Sequence, residues 1–294
     1  MAVRDEPVVV GVDGSDSARE AALWAAREAR RRRAPLRLLH AFPWTDDRLV
    51  GHPGLGEHYR RSLEESAQRT LEAAREAVLA AAPDVAVRAD LVVGPPIGTL
   101  ADAAEHAQLL VLGDRGLGRI RGLLLGSVAQ ALAAHAACPV VVVRDGAAGA
   151  DGPVVVGVDG SPAGEAALAF AYEAAADRAV PLVAVHAWTD AVVDPIVAPL
   201  LDRDLVETQE RVVLAERLAG WADKHPDVPV RRVVVLDRPA HALVEAARGA
   251  QLLVVGSHGR GSAVGLLLGS VGHAVLHRAP CPVAVVRPER ADRR

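Results

Sequence analysis

Val8-Val9-Val10-Gly11-Val12-Asp13-Gly14-Ser15 returns unchanged, 146 residues later, as Val154-Val155-Val156-Gly157-Val158-Asp159-Gly160-Ser161. Leu39-His40-Ala41 is answered at the same offset by Val185-His186-Ala187. The offset then becomes 143, matching Leu109-Leu110-Val111-Leu112-Gly113 with Leu252-Leu253-Val254-Val255-Gly256 and Leu123-Leu124-Leu125-Gly126-Ser127-Val128 with Leu266-Leu267-Leu268-Gly269-Ser270-Val271. Ala137-Cys138-Pro139-Val140 and Pro280-Cys281-Pro282-Val283 keep that second offset. A period of this length in a chain of 294 residues means two copies of one domain, joined head to tail. The change of register falls between Ala41 and Leu91, where Pro43 to Gly56 reads as a loop rich in Pro, Gly and His, and loops absorb deletions.

Within each copy, short continuous apolar runs alternate with helical patterns. Val8 to Val12 suits a strand buried on both faces, and Ser15 or Asp16 can cap a helix carrying Ala18, Ala22, Ala25 and Ala29. Further strands fit Leu36 to His40, Val85 to Val92, Gln108 to Leu112 and Pro139 to Val143, with helices near Tyr59 to Ala82, Pro96 to His106 and Ser127 to Ala136. In the second copy the strands are expected at Val154 to Val158, Leu182 to His186, Val230 to Val235, Leu252 to Val255 and Pro282 to Val286. The pattern predicts an α/β protein of two repeated doubly wound domains, each a five-stranded parallel sheet with helices on both faces, Rossmann-like in layout. The domains are expected at 1–144 and 153–294, with the small, unpatterned stretch 145–152 as linker.

Composition narrows the functional classes. Hydrophobic residues make up 51% of the chain and aromatic ones 3%, so the cores are built from Val, Leu and Ala. A net charge of -4 with 24% charged residues provides no general field for nucleic acid or anionic membrane. No apolar run reaches the roughly twenty residues of a membrane span. Met1 to Pro7 is short and charged rather than signal-like, and a cytoplasmic location is expected. Cys138 and Cys281 hold equivalent places in separate domains, which suggests packing rather than a disulfide or metal ligation.

Ligands of doubly wound sheets bind beyond the C-terminal strand ends. There the first copy has Gly113-Asp114-Arg115-Gly116, nine residues, then Gly126-Ser127, and the second has Gly256-Ser257-His258-Gly259, nine residues, then Gly269-Ser270. Glycines admit close approach of backbone N–H groups to an anion, and a serine at a helix start adds a hydroxyl. Phosphate is the expected guest. A Walker A loop needs Gly-Lys before Ser or Thr, and Lys224, the lone lysine, has no such context. Gly116-Leu117-Gly118 follows the fourth strand and is continued by Arg121, which disfavours a dinucleotide fingerprint.

The opening Val-Gly-Val-Asp-Gly-Ser, the glycine signature and the closing Cys-Pro-Val strand followed by Arg144 or Arg287 together resemble the universal stress protein family, in its tandem form and ATP-binding branch. The resemblance covers nearly the whole chain. It implies Gly11, Asp13, Gly157 and Asp159 at the nucleotide site, with Asp13 and Asp159 near ribose or Mg2+, and Ala41 and Ala187 near adenine. It also implies Gly113, Gly116, Gly126, Ser127 and Val128, with Gly256, Gly259, Gly269, Ser270 and Val271, around the phosphates. The cofactor implied is ATP with Mg2+, and the role implied is nucleotide-dependent control of stress response, dormancy or growth. A homodimer of tandem chains and a regulatory protein partner come with it, the last strands of each copy being edges in need of cover.

No residue marks a general base, so a nucleotide-holding protein is expected rather than an efficient enzyme. A nucleotide-free scaffold and a slow ATP hydrolase stay open beside it. Asp13 and Asp159 also suit simple helix caps, and His40 and His186 suit structural histidines. Arg30 to Arg33 reads as a solvated helix end. Two differences between the copies stand out: Asp114 against Ser257, where a carboxylate is expected to repel phosphate and weaken the first site in the absence of Mg2+, and Gly94 against Asp237.

Overall fold

The computed structural model describes residues 6–43, 53–117, 125–144, 151–189, 202–259 and 268–288. The expected loop at 43–56 and linker at 145–152 lie largely outside them, as do Gly118, Arg121 and the leucines before Leu125 and Leu268. The chain divides into two compact units, Met1–Ala148 and Gly149–Arg294.

The first unit runs β1 (Val8–Gly11), α1 (Asp16–Arg32), β2 (Leu36–Phe42), α2 (Pro53–Ala81), β3 (Val87–Val93), α3 (Pro96–Ala104), β4 (Leu109–Gly113), α4 (Ser127–His135) and β5 (Val140–Val143). The second runs β6 (Val154–Gly157), α5 (Pro162–Arg178), β7 (Leu182–Trp188), α6 (Arg203–Ala222), β8 (Val230–Leu236), α7 (Pro239–Ala246), β9 (Leu252–Gly256), α8 (Ser270–Arg278) and β10 (Val283–Val286). Strand order is β3-β2-β1-β4-β5 in the first unit and β8-β7-β6-β9-β10 in the second. Within each unit neighbouring strands are parallel. This is the doubly wound fold expected from the strand and helix alternation, with α1 and α2 packed on one face of the sheet and α3 and α4 on the other.

The Val-Val-Val runs of β1 and β6 are fully buried because helices cover both faces of these central strands. Ala18, Ala22, Ala25 and Ala29 sit on the buried stripe of α1, and such small residues allow the helix close to the sheet. At the end of β4 a Cβ on Gly113 would stand 2.7 Å from the Ser17 backbone carbon, and on Gly256 of β9 2.7 Å from that of Ala163. These glycines therefore admit the first turn of α1 and α5 against the sheet. The helix α2 begins at Pro53, earlier than the expected Tyr59, because the proline suits a helix start. The arginines at the end of α1 are partly engaged: Arg32 Nε donates to the buried Glu28 at 2.6 Å. Cys138 and Cys281 are free and buried.

The copies also differ in how their helices pack. Tyr172, Trp221 and His225 stack in the second unit where the first has Ala26, Val78 and Ala82. Among the described residues no helix is long and apolar enough to cross a membrane.

Candidate functional site

The loop after β1 is built around a carboxylate. Asp13 Oδ1 accepts the Ser15 amide at 3.0 Å and the Ser15 hydroxyl at 2.6 Å, while Ser15 Oγ in turn accepts the Ala18 amide at 3.1 Å and so caps α1. Asp13 Oδ2 accepts the Leu117 amide at 3.1 Å, which ties the loop after β1 to the loop after β4. Gly14, between them, has φ +91°, and Gly160 has +73°, values that favour glycine. In the second unit Asp159 Oδ1 accepts the Ser161 amide at 3.0 Å and its hydroxyl at 2.7 Å, and Ser161 Oγ accepts the Gly164 amide at 3.0 Å. Asp13 thus ties the two loops, Asp159 is bonded within its own loop while Ser161 Oγ donates across to the His258 carbonyl at 3.1 Å, and the cap itself belongs to the serine beside each carboxylate.

The loop after β4 supplies the second half. A Cβ on Gly116 would stand 2.6 Å from Asp13 Oδ2, and on Gly259 2.8 Å from Asp159 Oδ2, so these glycines make room for the carboxylates. The Gly126 amide donates to the Asp114 carbonyl at 2.7 Å and the Gly269 amide to the Ser257 carbonyl at 2.8 Å, which brings the head of α4 or α8 back to the loop. Both helices start on a glycine that offers no side-chain cap, and the first bond to the Gly126 or Gly269 carbonyl comes from Gln130 or His273. Ser127 and Ser270 are exposed at the first helical position, followed by the half-buried Val128 and Val271. A helix start without a side-chain cap leaves its first amides in want of partners, and an anion is one such partner. In contrast, α1 and α5 are capped by their own serines.

Other expected site residues stand apart from this junction. Gly11 and Gly157 close their strands, where a Cβ would press on Leu112 and Leu100 or on Leu243, so their small size serves packing. Ala41 pairs with Val92 near the end of β2, and Ala187 with Val235 near the end of β7. Their backbone lies at the C-terminal edge that the loops share. Among the described residues no group of three or more acidic, histidine or cysteine side chains could by itself hold a metal ion.

Asp114 corrects an expectation. Its side chain is turned inward and 3% exposed, Oδ1 accepting the Ser17 hydroxyl at 2.7 Å, and Oδ2 stands 3.4 Å from Arg115 Nε and 3.6 Å from Arg144 Nε. A buried carboxylate so occupied does not present its charge to an anion at the loop surface, so Asp114 gives no cause for a metal-dependent difference between the two sites. In the second unit Ser257 Oγ lies 3.0 Å from His258 Nδ1 and is buried as well.

The histidines also differ. His186 Nδ1 lies 2.7 Å from the Val158 carbonyl and Nε2 2.9 Å from Glu210 Oε2, so both nitrogens are engaged. Burial pushes the His40 imidazole below its ordinary value, against the opposing pull of the Asp13 charge and the Val12 carbonyl. Glu210 on α6 was not legible as a partner, since Ala67 stands at its place in the first copy. The loop tie to Leu117 was equally hidden, because a backbone amide leaves no mark in a sequence.

Residues 6–144 and 152–287 each match the model of the universal stress protein family. The chain is 43% identical over 294 residues to Universal stress protein Rv2005c of Mycobacterium tuberculosis, covering 95% of this chain and 96% of that one. It is 42% identical over 293 residues to Universal stress protein Rv2623 of the same organism, at 95% and 96% coverage. A crystal structure of a universal stress protein from Archaeoglobus fulgidus shares the fold with a TM-score of 0.73 at 19% identity, covering 98% of this chain and 100% of that one. The chain belongs to the universal stress protein family and carries two of its domains in tandem.

Proposed function

We propose that each unit holds an adenine nucleotide, ATP with Mg2+, across the loops after its first and fourth strands, and that the bound nucleotide governs a regulatory role in stress response, dormancy or growth. The observation that carries this reading is the pair of uncapped helix starts, Gly126-Ser127-Val128 and Gly269-Ser270-Val271, folded back onto a loop that is tied to Asp13 in the first unit and to Ser161 in the second. Open amides and the serine hydroxyl would take the phosphates, and the Ala41 and Ala187 strand ends the adenine. Asp13 already accepts three protein hydrogen bonds, so it suits a supporting place beside Mg2+, with the phosphate oxygens as the main ligands. The metal would offset phosphate charge there. A homodimer of tandem chains acting in the cytoplasm with a protein partner extends the proposal on family resemblance.

The test is release of native ligand from the purified chain, identified by mass spectrometry, followed by calorimetric titration of ATP with and without Mg2+. An adenine nucleotide in the supernatant and saturable binding are expected. A chain that carries none and binds none overturns the reading in favour of a scaffold.

A further inference from the structure

The face of β2 and β3 beside α3 bears an open cleft of about 430 Å3, and its lining includes Arg37, Leu39, Val92, Gly94, Thr99 and Asp102. No residue assigned above to the nucleotide lines it. The parallel register sets Arg37 against Arg88, Leu39 against Asp90 and Ala41 against Val92, so alternation turns all six to this face, with Ala41, Arg88 and Asp90 outside the lining.

The repeat provides an internal comparison. Where the first unit has Gly94 and Gly98, the second has Asp237 and His241, whose side chains bond to each other across the corresponding place. Asp102 is replaced by Glu245, which accepts two bonds of 2.8 Å from Arg248, and Arg37 by Val183. The second unit thus carries side chains at the matching positions whose charges are paired with one another.

The first unit does the reverse. Arg37 Nε donates to Asp90 at 2.7 Å and Arg88 Nε donates to the same carboxylate at 2.8 Å, so two guanidinium groups share one anion and leave a surplus positive charge. On the helix wall, the Asp102 carboxylate has no ion pair or hydrogen bond among the described residues. Between them lie Leu39 and Val92, with Gly94 and Gly98 in the lining. The Arg37 guanidinium on the strand wall, whose partner Asp90 is shared with Arg88, an unpaired anion on the helix wall and an apolar floor together complement a molecule that carries both charges on a small aliphatic body.

We infer that this cleft of the first unit binds a small zwitterion of the aliphatic α-amino acid class, its carboxylate toward Arg37, its ammonium toward Asp102 and its side chain on Leu39 and Val92. Exposed ion pairs contribute little each, so a dissociation constant of about 1 mM is expected. The probes are L-leucine, isocaproate, which lacks the ammonium, and isoamylamine, which lacks the carboxylate, added to the full-length chain and followed by protein-observed NMR. Leucine should shift resonances of β2, β3 and α3, and both single-charge analogues should bind at least about tenfold more weakly. Asp102→Asn and Arg37→Val should each weaken leucine by a similar factor, and Gly94→Asp with Gly98→His should abolish its binding while the melting midpoint and ATP titration show an intact fold. Absence of leucine shifts at these elements, isocaproate binding as well as leucine, or leucine binding that survives the filled cleft would each overturn the inference.

Discussion

The Ser17 hydroxyl donates to Asp114 Oδ1 at 2.7 Å inside the first unit, and in the second unit both partners are gone together, replaced by Ala163 and Ser257. The exchange keeps the physics consistent. A buried carboxylate needs donors, whereas the smaller serine at 257 is accommodated without the hydroxyl.

Ser17→Ala should therefore cost about 1 to 3 kcal/mol, since it removes a donor from a buried charge. Adding Asp114→Ser, which recreates the second unit's pair, should recover part of that loss. Denaturant unfolding of the full chain, arranged as a double-mutant cycle, measures the coupling. Additive losses would mean that the two side chains act independently. Asp114→Ser alone should leave ATP affinity unchanged, because the carboxylate is turned inward.

The glycines of the signature should separate by mutation. Gly116→Ala places a Cβ against Asp13 Oδ2 and must displace the carboxylate or the loop, so ATP binding by the first unit should fall about tenfold or more, roughly 1.4 kcal/mol. Gly126→Ala meets its nearest atom, the Asp114 carbonyl oxygen, at 3.4 Å and has ordinary negative φ. That substitution should fold normally. Calorimetry on full-length chains in which Gly259→Ala silences the second site isolates the first; equal affinities for the two variants would refute the tie between Asp13 and the glycine loop.

His40 should titrate below its ordinary value of 6.5, and Asp13→Asn should lower it further by removing a charge that pulls it up. With the folded value depressed, its contribution to stability is present above 6.5 and is lost as pH falls through the folded value. Two-dimensional NMR of the imidazole through that window provides both readings. An upward shift on Asp13→Asn would show that the carboxylate does not face the ring.

Asp90 makes an acid-side prediction. Burial pushes its carboxyl up, but hydrogen bonds from Arg88 and Arg37 and their charges outweigh this and hold it below the ordinary carboxylate range. The depressed value means stability present above the unfolded pKa and lost as pH falls through the folded one. Asp90→Asn should thus destabilise the chain at neutral pH and converge with the parent as acid protonates Asp90. Melting midpoints measured from pH 7 down to about 3 test it, and a constant gap would deny the linkage.

The sequence by itself determined that there are two copies, where their strands run and which loops meet at the C-terminal edge. Repetition at two constant offsets and buried apolar runs such as Val8-Val9-Val10 are local patterns, and a parallel sheet wound on both sides is the arrangement that satisfies them. It also singled out the paired glycine signatures and the serines at the heads of α4 and α8. Tertiary structure alone decided what each side chain faces. Asp114 reads as a carboxylate in a phosphate loop, yet Ser17, 97 positions away, draws it inward. Gly113 and Gly116 read alike in a signature, but one admits the first turn of α1 and the other makes room for Asp13. Gly94 against Asp237 is only a difference until the fold shows Gly94 lining a cleft in one unit and Asp237 bonded to His241 at the matching positions of the other. Such relations depend on contacts between residues distant in the chain, and their direction is set by packing, which local periodicity does not encode.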